Sequence, residues 1–596
     1  MTQAYFLGVS RSILGRAWVE RGSDARTALA IAQRHGLPEI LGRVLAARGV
    51  GIDEAPAFLD PSLRRLMPAP ESLRDMVKGA QRLAQAVMAG EPVGIIGDYD
   101  VDGTCSSAMV RQFLQACGLD PRVHIPHRVE EGYGPSKEAV EAFAESGIRV
   151  LVTLDCGAMA HDVLAHAARL GLEAIVVDHH QMGEALPRAA AVINPNRPDD
   201  TSGQGHLCAA GVAFMLIATV RRELANAGFR GGQGRGGPDL LQWLDLVALA
   251  TVCDVVPLRG LNRAYVRQGL KVMQGRHRPG LAALADAAGL KRKPDVHALG
   301  FVLGPRINAA GRIGHANDAL ELLCATTWDV AQRQAARLEA MNRERQELEA
   351  HLVEEAAAGA ESFLGGREQK TPLVVAGENW HPGVLGLIAS RLKERFATPV
   401  IALGVDPATG LATGSARSVS GVDIGRAVAR AVAEGVLSKG GGHAMAAGMS
   451  LDAARIGELR AFMASALDGE LQELPDAPQM AMDGALSAGG ATAELVELLE
   501  RAGPYGAGNP SPMFVFPAHR VSWATVVGNA HVKCTLRASD GKSIKAIAFR
   551  ALDTELGEAL LAGGSMPMHL AGRLAIDDWQ GRHGAQVLIA DAARVK

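Results

Sequence analysis

The chain has 596 residues, of which 48% are hydrophobic and 21% charged, and its formal net charge is −3. This length predicts about three or four domains rather than one core, and the composition excludes a generally disordered chain. The small negative charge excludes overall attraction to nucleic acid, so a nucleic-acid substrate would need a local basic groove.

The seven cysteines are odd in number and include no C-x-x-C pair. This pattern argues against a disulfide framework or zinc knuckle and favours a reducing cytoplasm. The first 18 residues lack the regions of a secretory signal, and the longest apolar stretch, Leu244 to Leu258, is shorter than the about 20 residues of a membrane span. We therefore expect a cytoplasmic protein that does not enter membranes.

Residues 91–256 alternate short β-branched runs with Ala-rich, helix-like segments, which predicts a parallel α/β sheet. The predicted strands are Val93–Gly97, Arg149–Leu154, Ala174–Val177 and Ala191–Ile193. A Gly-rich patch at Gly231–Gly237 then predicts a surface insertion without chemistry.

Apolar residues at helical spacing predict one long amphipathic helix over Trp328–Phe363 that bridges two domains. A second α/β pattern follows, with a strand at Pro372–Gly377 and a helix at Gly383–Phe396. Beyond Leu474 strands alternate with Gly and Asp turns, which predicts a small β-barrel. Its strand segments are His531–Arg537, Ser543–Phe549 and His569–Ile576.

Three alternating aspartates, Asp98, Asp100 and Asp102, stand where the first predicted strand ends. On an extended strand end they would point to one side, and such close carboxylates repel unless cations neutralise them. A solvated Asx turn remains an alternative, as does a calcium loop, although the calcium-loop pattern is incomplete.

Three further runs end in the same way, and we interpret each as a strand followed by acidic or histidine residues. They are Leu154-Asp155, Val177-Asp178-His179-His180 and Val252-Cys253-Asp254-Val255. Ligands of open parallel sheets gather outside the carboxyl ends of the strands, so these groups are expected to converge. Taken singly, Asp155 or Asp254 can instead be a helix N-cap, and His179 a surface histidine.

Carboxylates with one or two imidazoles suit Mn²⁺, with Mg²⁺ as the second choice, and we expect two such ions. A pair of these ions would bind phosphate oxygens and activate a water for phosphoester hydrolysis. We expect Asp155 to bridge the ions and His180 to stabilise charge or assist the leaving oxygen.

The residues named so far resemble, in order, the four motifs of the DHH phosphoesterase superfamily. The resemblance implies that the metal ligands are Asp100, Asp102, Asp155, His179 and Asp254. It does not include Asp98 among the metal ligands, and it gives Asp178 the role of supporting the histidines. Asp98, Asp178 and His180 are therefore the remaining candidate catalytic residues.

Further blocks are similar to those of the RecJ family within this superfamily. In the first domain they contain Arg128, Tyr133, Arg306, Asn308 and Arg312, and in the second, which resembles the DHHA1 domain, they contain Ser415, Arg417 and His443. Arginine forks suit phosphate, and glycines beside them let backbone amides approach a phosphate chain. Ordinary surface arginines and a purely structural Gly-rich turn are the alternatives.

The last region resembles the RecJ OB-fold, in which Lys533, Lys545, Arg573, Trp579 and Arg582 would hold a single strand. The domain boundaries that follow are a helical leader at 1–70, a DHH domain at 71–327, a connecting helix at 328–370, a DHHA1 domain at 371–472 and an OB domain at 473–596.

The resemblance implies an exonuclease that removes 5′ mononucleotides from single-stranded DNA in recombination and repair. It also implies single-stranded-DNA-binding protein and a RecQ-type helicase as partners, and a monomeric state. Two other functions stay open. One is a DHH phosphatase for pyrophosphate or dinucleotides, and the other is a DNA-binding scaffold like Cdc45 that performs no catalysis.

Overall fold

The computed structural model describes residues 4–231, 237–364, 371–475, 477–564, 566–577 and 583–595. Most of the Gly-rich patch at Gly231–Gly237, and both Trp579 and Arg582, lie outside these residues. The chain forms two compact units. Unit 1 comprises Met1–Met67, Pro257–Arg267 and Pro475–Lys596, and unit 2 comprises Pro68–Val256 and Gln268–Leu474.

Helices form most of unit 2 and the N-terminal part of unit 1. In chain order the α-helices are α1 (Ala25–His35), α2 (Glu39–Ala46), α3 (Ala55–Leu59), α4 (Leu63–Leu66), α5 (Met76–Ala89), α6 (Val101–Ala116), α7 (Lys137–Glu145), α8 (His161–Arg169), α9 (Ala209–Asn226), α10 (Leu244–Cys253), α11 (Gly260–Gln274), α12 (Pro279–Ala287), α13 (Gly304–Ile313), α14 (Asn317–Cys324), α15 (Trp328–Leu364), α16 (Pro382–Phe396), α17 (Ile424–Ala433), α18 (Ile456–Gln472), α19 (Ala493–Arg501) and α20 (Glu555–Ala562).

The strands build two sheets in unit 2, and a two-stranded sheet and a barrel in unit 1. In chain order they are β1 (Ala17–Glu20), β2 (Val93–Gly97), β3 (Arg122–His124), β4 (Val150–Leu154), β5 (Glu173–Val177), β6 (Ala191–Ile193), β7 (Leu373–Glu378), β8 (Val400–Val405), β9 (Leu411–Arg417), β10 (Lys439–His443), β11 (Ala446–Asp452), β12 (Gln479–Met482), β13 (Gly484–Ala485), β14 (Phe514–Val527), β15 (His531–Arg537), β16 (Ser543–Ala548), β17 (Met568–Asp577) and β18 (Gly584–Arg594).

The first sheet of unit 2 is fully parallel, with the strand order β3-β2-β4-β5-β6, which confirms the predicted α/β class. Its central strands β2 and β4 are buried on both faces, as their apolar sequences predict. After β2 the chain passes to β3 on one side of β2, and it then continues to β4 on the other side of β2. The gap between β2 and β4 is therefore a topological switch point, where ligands of open sheets bind.

One strand prediction is wrong. The run Val252 to Val255 is not a strand, because Val252 and Cys253 end helix α10 and Asp254 is its C-cap. The ten residues of α10 are apolar almost all round, and a short buried helix of this kind cannot be told from a buried strand by periodicity alone.

The second sheet of unit 2 is mixed, with the order β10-β11-β9-β8-β7. Strands β7 and β8 are parallel and joined by α16, whereas β9, β11 and β10 pair antiparallel. The predicted long helix is present as α15, which spans 37 residues. Apolar side chains of α15, among them Leu352 and Ala356, share a core with α16 and β8.

Unit 1 contains a closed five-stranded barrel, in which β14, β15, β16, β18 and β17 pair in turn and β17 pairs back to β14. This confirms the predicted OB-type barrel. The N-terminal segment shares the barrel's core, since Ile31, Leu41 and Leu45 cluster with Phe514 and Phe516. Among the described residues, no helix is long and apolar enough to cross a membrane.

Candidate functional site

The three aspartates of the first motif lie on a strand end, a turn and a helix. Asp98 follows β2, Asp100 is the N-cap of α6 and accepts a hydrogen bond from the Gly103 N–H (3.0 Å), and Asp102 lies in the first helical turn. The expected alternation along an extended strand is therefore wrong. A helix that starts at Asp100 brings the carboxylates together instead, because it turns the chain back over the strand end.

Asp102 connects two helices at the site. Its carboxylate accepts hydrogen bonds from the backbone N–H groups of Ala209 (2.6 Å) and Ala210 (2.8 Å), at the start of α9. The exposed N–H groups and dipole of a helix N-terminus favour such an anion. Gly103 is needed beside it, because a Cβ there would lie 2.5 Å from the backbone nitrogen of Asp98.

The remaining candidate ligands come from three other elements. Asp155 follows β4 with a φ of 62°, in the left-handed region that non-glycine residues rarely adopt. Asp178, His179 and His180 follow β5, and Asp254 caps α10. Residues distant in sequence thus meet at the predicted carboxyl edge of the parallel sheet.

The side chains converge to short distances. The Nε2 atom of His179 lies 3.3 Å from Asp155 Oδ1, 3.6 Å from Asp254 Oδ2 and 3.9 Å from Asp102 Oδ2. Three groups have one potential ligand atom per residue within 4.8 Å of the others. These groups are Asp98, Asp100 and Asp155; Asp102, His179 and Asp254; and Asp155, His179 and His180.

Four of the converging atoms are buried without a hydrogen-bond partner in the described structure. They are Asp98 Oδ1, Asp155 Oδ1, His179 Nε2 and Asp254 Oδ2. A buried polar atom left unpaired is costly, so such a cluster requires a partner of another kind. Divalent cations fit this donor set of carboxylate oxygens and one or two imidazoles, and the shared position of Asp155 fits two neighbouring ions.

The electrostatics of the carboxylates lead to the same conclusion. Burial, followed by the charge of Asp100, raises the pKa of Asp102 to about 7. Burial and the charges of Asp102 and Asp100 raise the pKa of Asp254 to about 9. Burial and the neighbouring aspartates also raise the pKa of Asp155 well above its usual range. The cluster therefore holds more negative charge than the protein alone can stabilise.

His180 is held differently from His179. Its Nδ1–H donates to Asp178 Oδ1 (2.8 Å), and Asp178 also accepts from the backbone N–H groups of His179, His180 and Ala158. Burial opposes ionisation of Asp178, but the hydrogen bond and charge of His180 and the backbone donors lower its pKa to about 2. Tyr133 Oη lies 3.1 Å from the same His180 nitrogen and donates to the Asp155 carbonyl (2.9 Å).

Three of the predicted phosphate-binding arginines lie close together in unit 2. Burial and the charges of Arg128, Arg345 and Arg417 lower the pKa of Arg312 to about 10, and burial and Arg128 lower that of Arg417. Arg128 stacks over Tyr99, with 4.9 Å from its guanidinium carbon to the ring centre. Arg417 donates to Ser415 Oγ (2.9 Å). These three arginines therefore form a cluster of partly buried, mutually repelling positive charges, whereas the aspartates form a cluster of negative charges.

The other predicted substrate residues have different surroundings. Arg306 donates to Glu339 of α15 (2.5 Å) and to the Val302 carbonyl, so its guanidinium joins two helices. Asn308 is half-buried on the same helix, α13. His443 is exposed at the end of β10, and its Nδ1 accepts from the Met445 N–H (3.3 Å).

The sequence reasoning missed two exposed aromatic residues of the barrel. Trp523 is 52% exposed and Phe549 is 57% exposed, and the Phe549 ring contacts His531 edge-on at 5.2 Å. The strand register places Trp523 opposite Thr535, which pairs with Lys545. Lys533 lies on β15 two residues before Thr535, on the same, less buried face of the strand. Alternation along the strand would place Trp523 on the same face as the buried Val521, and the bulge between these two residues exposes Trp523 instead.

Family models match three parts of the chain. The DHH family N-terminal domain matches residues 92–251, the DHHA1 domain residues 370–469, and the RecJ OB domain residues 482–591. Together with the parallel sheet and its carboxylate edge, these matches define a phosphoesterase of the DHH class. The structure and the matches agree on the class.

Curated relatives extend the match to nearly the whole chain. The chain is 37% identical to a single-stranded-DNA-specific exonuclease RecJ of Dickeya dadantii, covering 93% of this chain and 96% of the relative, and 36% identical to that of Escherichia coli, covering 93% and 95%. A crystal structure of RecJ with Mn²⁺ from Thermus thermophilus superposes with a TM-score of 0.78 at 28% identity, covering 96% of this chain and 78% of that one. This chain belongs to the RecJ family of exonucleases.

Proposed function

We propose that this protein is a metal-dependent exonuclease that degrades single-stranded DNA from the 5′ end and releases 5′ mononucleotides. The observation that carries the proposal is the group of buried, unpartnered atoms of Asp98, Asp155, His179 and Asp254, drawn from four separate chain segments. We infer the substrate from relatives that are named as single-stranded-DNA-specific exonucleases. The 5′ polarity and the mononucleotide product follow from the family resemblance.

The metal ligands in this proposal are Asp100, Asp102, Asp155, His179 and Asp254, and Asp98 is near enough to Asp100 and Asp155 to join them. RecJ of Thermus thermophilus has been solved with Mn²⁺ and with Mg²⁺, and we propose the same two metals here, with Mn²⁺ preferred. Bound as a pair, such ions neutralise phosphate charge and activate water.

His180 has the geometry of a proton-transfer residue. Its Nδ1–H is committed to Asp178, which leaves Nε2 to accept or donate a proton. Burial lowers the pKa of His180, but the Asp178 hydrogen bond and the nearby carboxylates raise it above its ordinary value overall. We propose that His180 stabilises charge at the scissile phosphate or protonates the leaving oxygen, and that Asp178 and Tyr133 orient it.

The phosphates of the strand would bind to Arg128, Arg312 and Arg417. Burial and the neighbouring positive charges lower the pKa of Arg312 and of Arg417, so an anion placed among the three guanidiniums relieves repulsion as well as forming charge-assisted hydrogen bonds. Ser415 and His443 are further candidates for the terminal phosphate. For Arg306 we propose an indirect contribution through α13, because its guanidinium already binds Glu339.

The barrel would hold a more distant part of the strand. Bases can stack on Trp523 and Phe549, while Lys533 attracts the backbone between them. Lys545 contributes less, because it pairs with Asp577 (2.7 Å). Recombination and repair in the cytoplasm are the proposed setting, with single-stranded-DNA-binding protein and a RecQ-type helicase as proposed partners of a monomer.

Digestion of strands labelled at either end tests the proposal. With Mn²⁺ we expect label to be released first from the 5′ end as mononucleotide, and no release with a chelator. Duplex DNA without a single-stranded end is the matched control and should survive. Release from the 3′ end would contradict the polarity, and digestion that continues in chelator would contradict the metal site.

The two competing functions are separated by substrate and by activity. A DHH phosphatase for small substrates would hydrolyse pyrophosphate or dinucleotides at rates equal to or above those on long strands. A scaffold would bind DNA without digesting it. The unpartnered ligand atoms favour a catalytic site over a scaffold, and the barrel favours a long strand over a small substrate.

A further inference from the structure

A second cavity lies in unit 2, away from the carboxylate cluster. Its volume is about 590 Å³, and it is bounded by the end of α6, the start of α10, helix α12 and the loops beside them. Asp245 lines it at the first turn of α10, whereas Asp254 of the metal site caps the other end of that helix. At about 1.5 Å per residue the two residues are about 14 Å apart along the helix, so the cavity is a separate site.

Part of the cavity lining is apolar. Its apolar lining consists of Val272, Met273, Leu281, Ala282, Ala285, Leu290, Pro279 and Pro294, with the Ala325 methyl group. Ligand sites typically have volumes of about 300–1,000 Å³ and combine such a surface with a few polar groups. A planar heterocycle is the kind of group that this surface accommodates.

The lining is also strongly basic. The lining includes Arg276, His277, Arg278, Lys291, Arg292 and Lys293. Asp245 is the one carboxylate among the described lining residues, and Arg278 neutralises it with contacts of 2.8 and 3.1 Å. Arg276 pairs with Asp286 (2.7 Å), and Arg292 more loosely with Asp295 (3.4 Å).

Lys291 and Lys293 are left without a carboxylate in ion-pair range within the described part of the chain, and both are exposed. A single exposed ion pair is worth little, so a ligand that gains from this edge must bring several negative charges at once. Together with the apolar lining residues, these charges suit a ligand that combines a heterocycle with more than one phosphate.

We propose that this cavity is a second ligand site that binds a nucleoside di- or triphosphate, with the base against the apolar lining residues and the phosphates at Lys291 and Lys293. The proposal does not depend on the nuclease activity. It depends only on the cavity and on charges that the metal site does not use.

The test is direct binding of ATP to the full-length protein in a chelator, measured by calorimetry, with AMP, adenosine and tripolyphosphate as the comparison ligands. We expect ATP to bind at least about tenfold more tightly than AMP, adenosine or tripolyphosphate, because each of these lacks phosphates or the base. No ATP binding would overturn the proposal. Tripolyphosphate binding as tight as that of ATP would also overturn the proposal, since the apolar lining residues would then contribute nothing to the affinity.

Variants locate the site. The double variant Lys291→Glu, Lys293→Glu should weaken ATP binding by about tenfold or more, because it reverses both free charges. Lys271→Glu, an exposed lysine of α11 outside the cavity lining, is the matched control and should leave binding unchanged. Thr326→Trp, which places bulk at the exposed edge, should also weaken binding without touching the charges.

Arg128→Gln separates this cavity from the proposed DNA site. It should weaken binding of single-stranded DNA and leave ATP binding unchanged. Loss of ATP binding in Arg128→Gln, or unchanged binding in the Lys291 and Lys293 variant with normal thermal unfolding, would place the nucleotide elsewhere and overturn the proposal. Binding of an acidic peptide with no binding of ATP would overturn the ligand class.

Discussion

The two sheets of unit 2 have five strands each but carry opposite chemistry. In the parallel sheet, strands β2, β4 and β5 are followed by aspartates and histidines. Burial and the charges of neighbouring carboxylates raise the pKa values of Asp155 and Asp254. The mixed sheet carries Ser415 and Arg417 on β9 and a run of glycines on β10. One sheet thus concentrates negative charge and the other offers positive charge and open backbone.

This difference shows how one chain can bind cations and a polyanion side by side. A carboxylate cluster alone would repel DNA, and an arginine cluster alone would bind DNA without cleaving it. Arg312 joins the two parts, since it belongs to α13 and donates to the Gly383 carbonyl at the start of α16 (2.8 Å). The arrangement predicts that DNA cleavage and DNA binding can be removed by separate substitutions.

The largest expected effect is the loss of catalysis at the carboxylate cluster of the parallel sheet. Asp155→Asn keeps the shape of the side chain but removes a charge shared between the proposed ions, so digestion should fall by about 10³-fold or more. Initial rates on 5′-labelled single strands in Mn²⁺ measure this. Binding of DNA should stay within about threefold, because the arginines are untouched. A variant that still digests DNA at a tenth of the normal rate would contradict the assigned site.

A smaller effect is expected from the arginine cluster. Arg417→Gln should weaken binding of single-stranded DNA by about 10–100-fold, and the slope of log affinity against log salt should fall by about 0.7 for one lost phosphate contact. Titration over a range of salt concentrations measures both.

The control for Arg417 is Arg455→Gln, because Arg455 is a partly exposed arginine of the same region that pairs with Glu458 at 2.8 Å. It should leave affinity and salt slope unchanged. An unchanged salt slope in Arg417→Gln would remove Arg417 from the phosphate site.

The glycine run of β10 allows a structural requirement to be separated from a functional one. A Cβ on Gly441 would meet no atom within 4 Å, whereas a Cβ on Gly442 would lie 2.3 Å from the Ala446 carbonyl oxygen. Gly441→Val should therefore fold normally but weaken DNA binding by about tenfold, because it blocks a close approach to the backbone.

Gly442→Val should instead lower the melting temperature, since the hairpin itself has no room for the side chain. Thermal unfolding and DNA titration of both variants give the comparison. Normal DNA binding by Gly441→Val would show that this strand does not contact the substrate.

A further effect is expected on stability. Saturating Mn²⁺ should stabilise the protein by about 2.7 kcal/mol at 100 times the dissociation constant, because only the folded chain gathers the ligands. In a chelator, stability should fall as the pH rises from about 4 to about 9. The folded Asp254, with a pKa of about 9, keeps a proton that the unfolded chain, with a pKa near 3.8, has already lost.

Melting curves with and without Mn²⁺ across this pH range measure the effect. Asp254→Asn should reduce the pH dependence in chelator, because it removes one titrating group. Stability in chelator that rises with pH would contradict the repulsion described for this cluster.

The sequence determined much of the fold and most of the site. Short apolar runs predicted β2 and β6 at their observed bounds, because fully buried parallel strands leave a local signal in composition. Spacing predicted α15, and the acidic and histidine residues at strand ends predicted which side chains would meet. Periodicity could not show that Asp254 ends a helix, or that Asp100 starts one, because short buried segments look alike.

Only the tertiary structure decided the rest. Whether an arginine faces a phosphate site or another helix depends on which elements pack beside it, and so Arg306 pairs with Glu339 while Arg312 lies among Arg128 and Arg417. The same holds for the second cavity, whose lining combines residues of α6, α10, α12 and residues 324–326. Local sequence fixes residue type and backbone preference, but the charge and burial that a side chain experiences are set by neighbours that folding brings together.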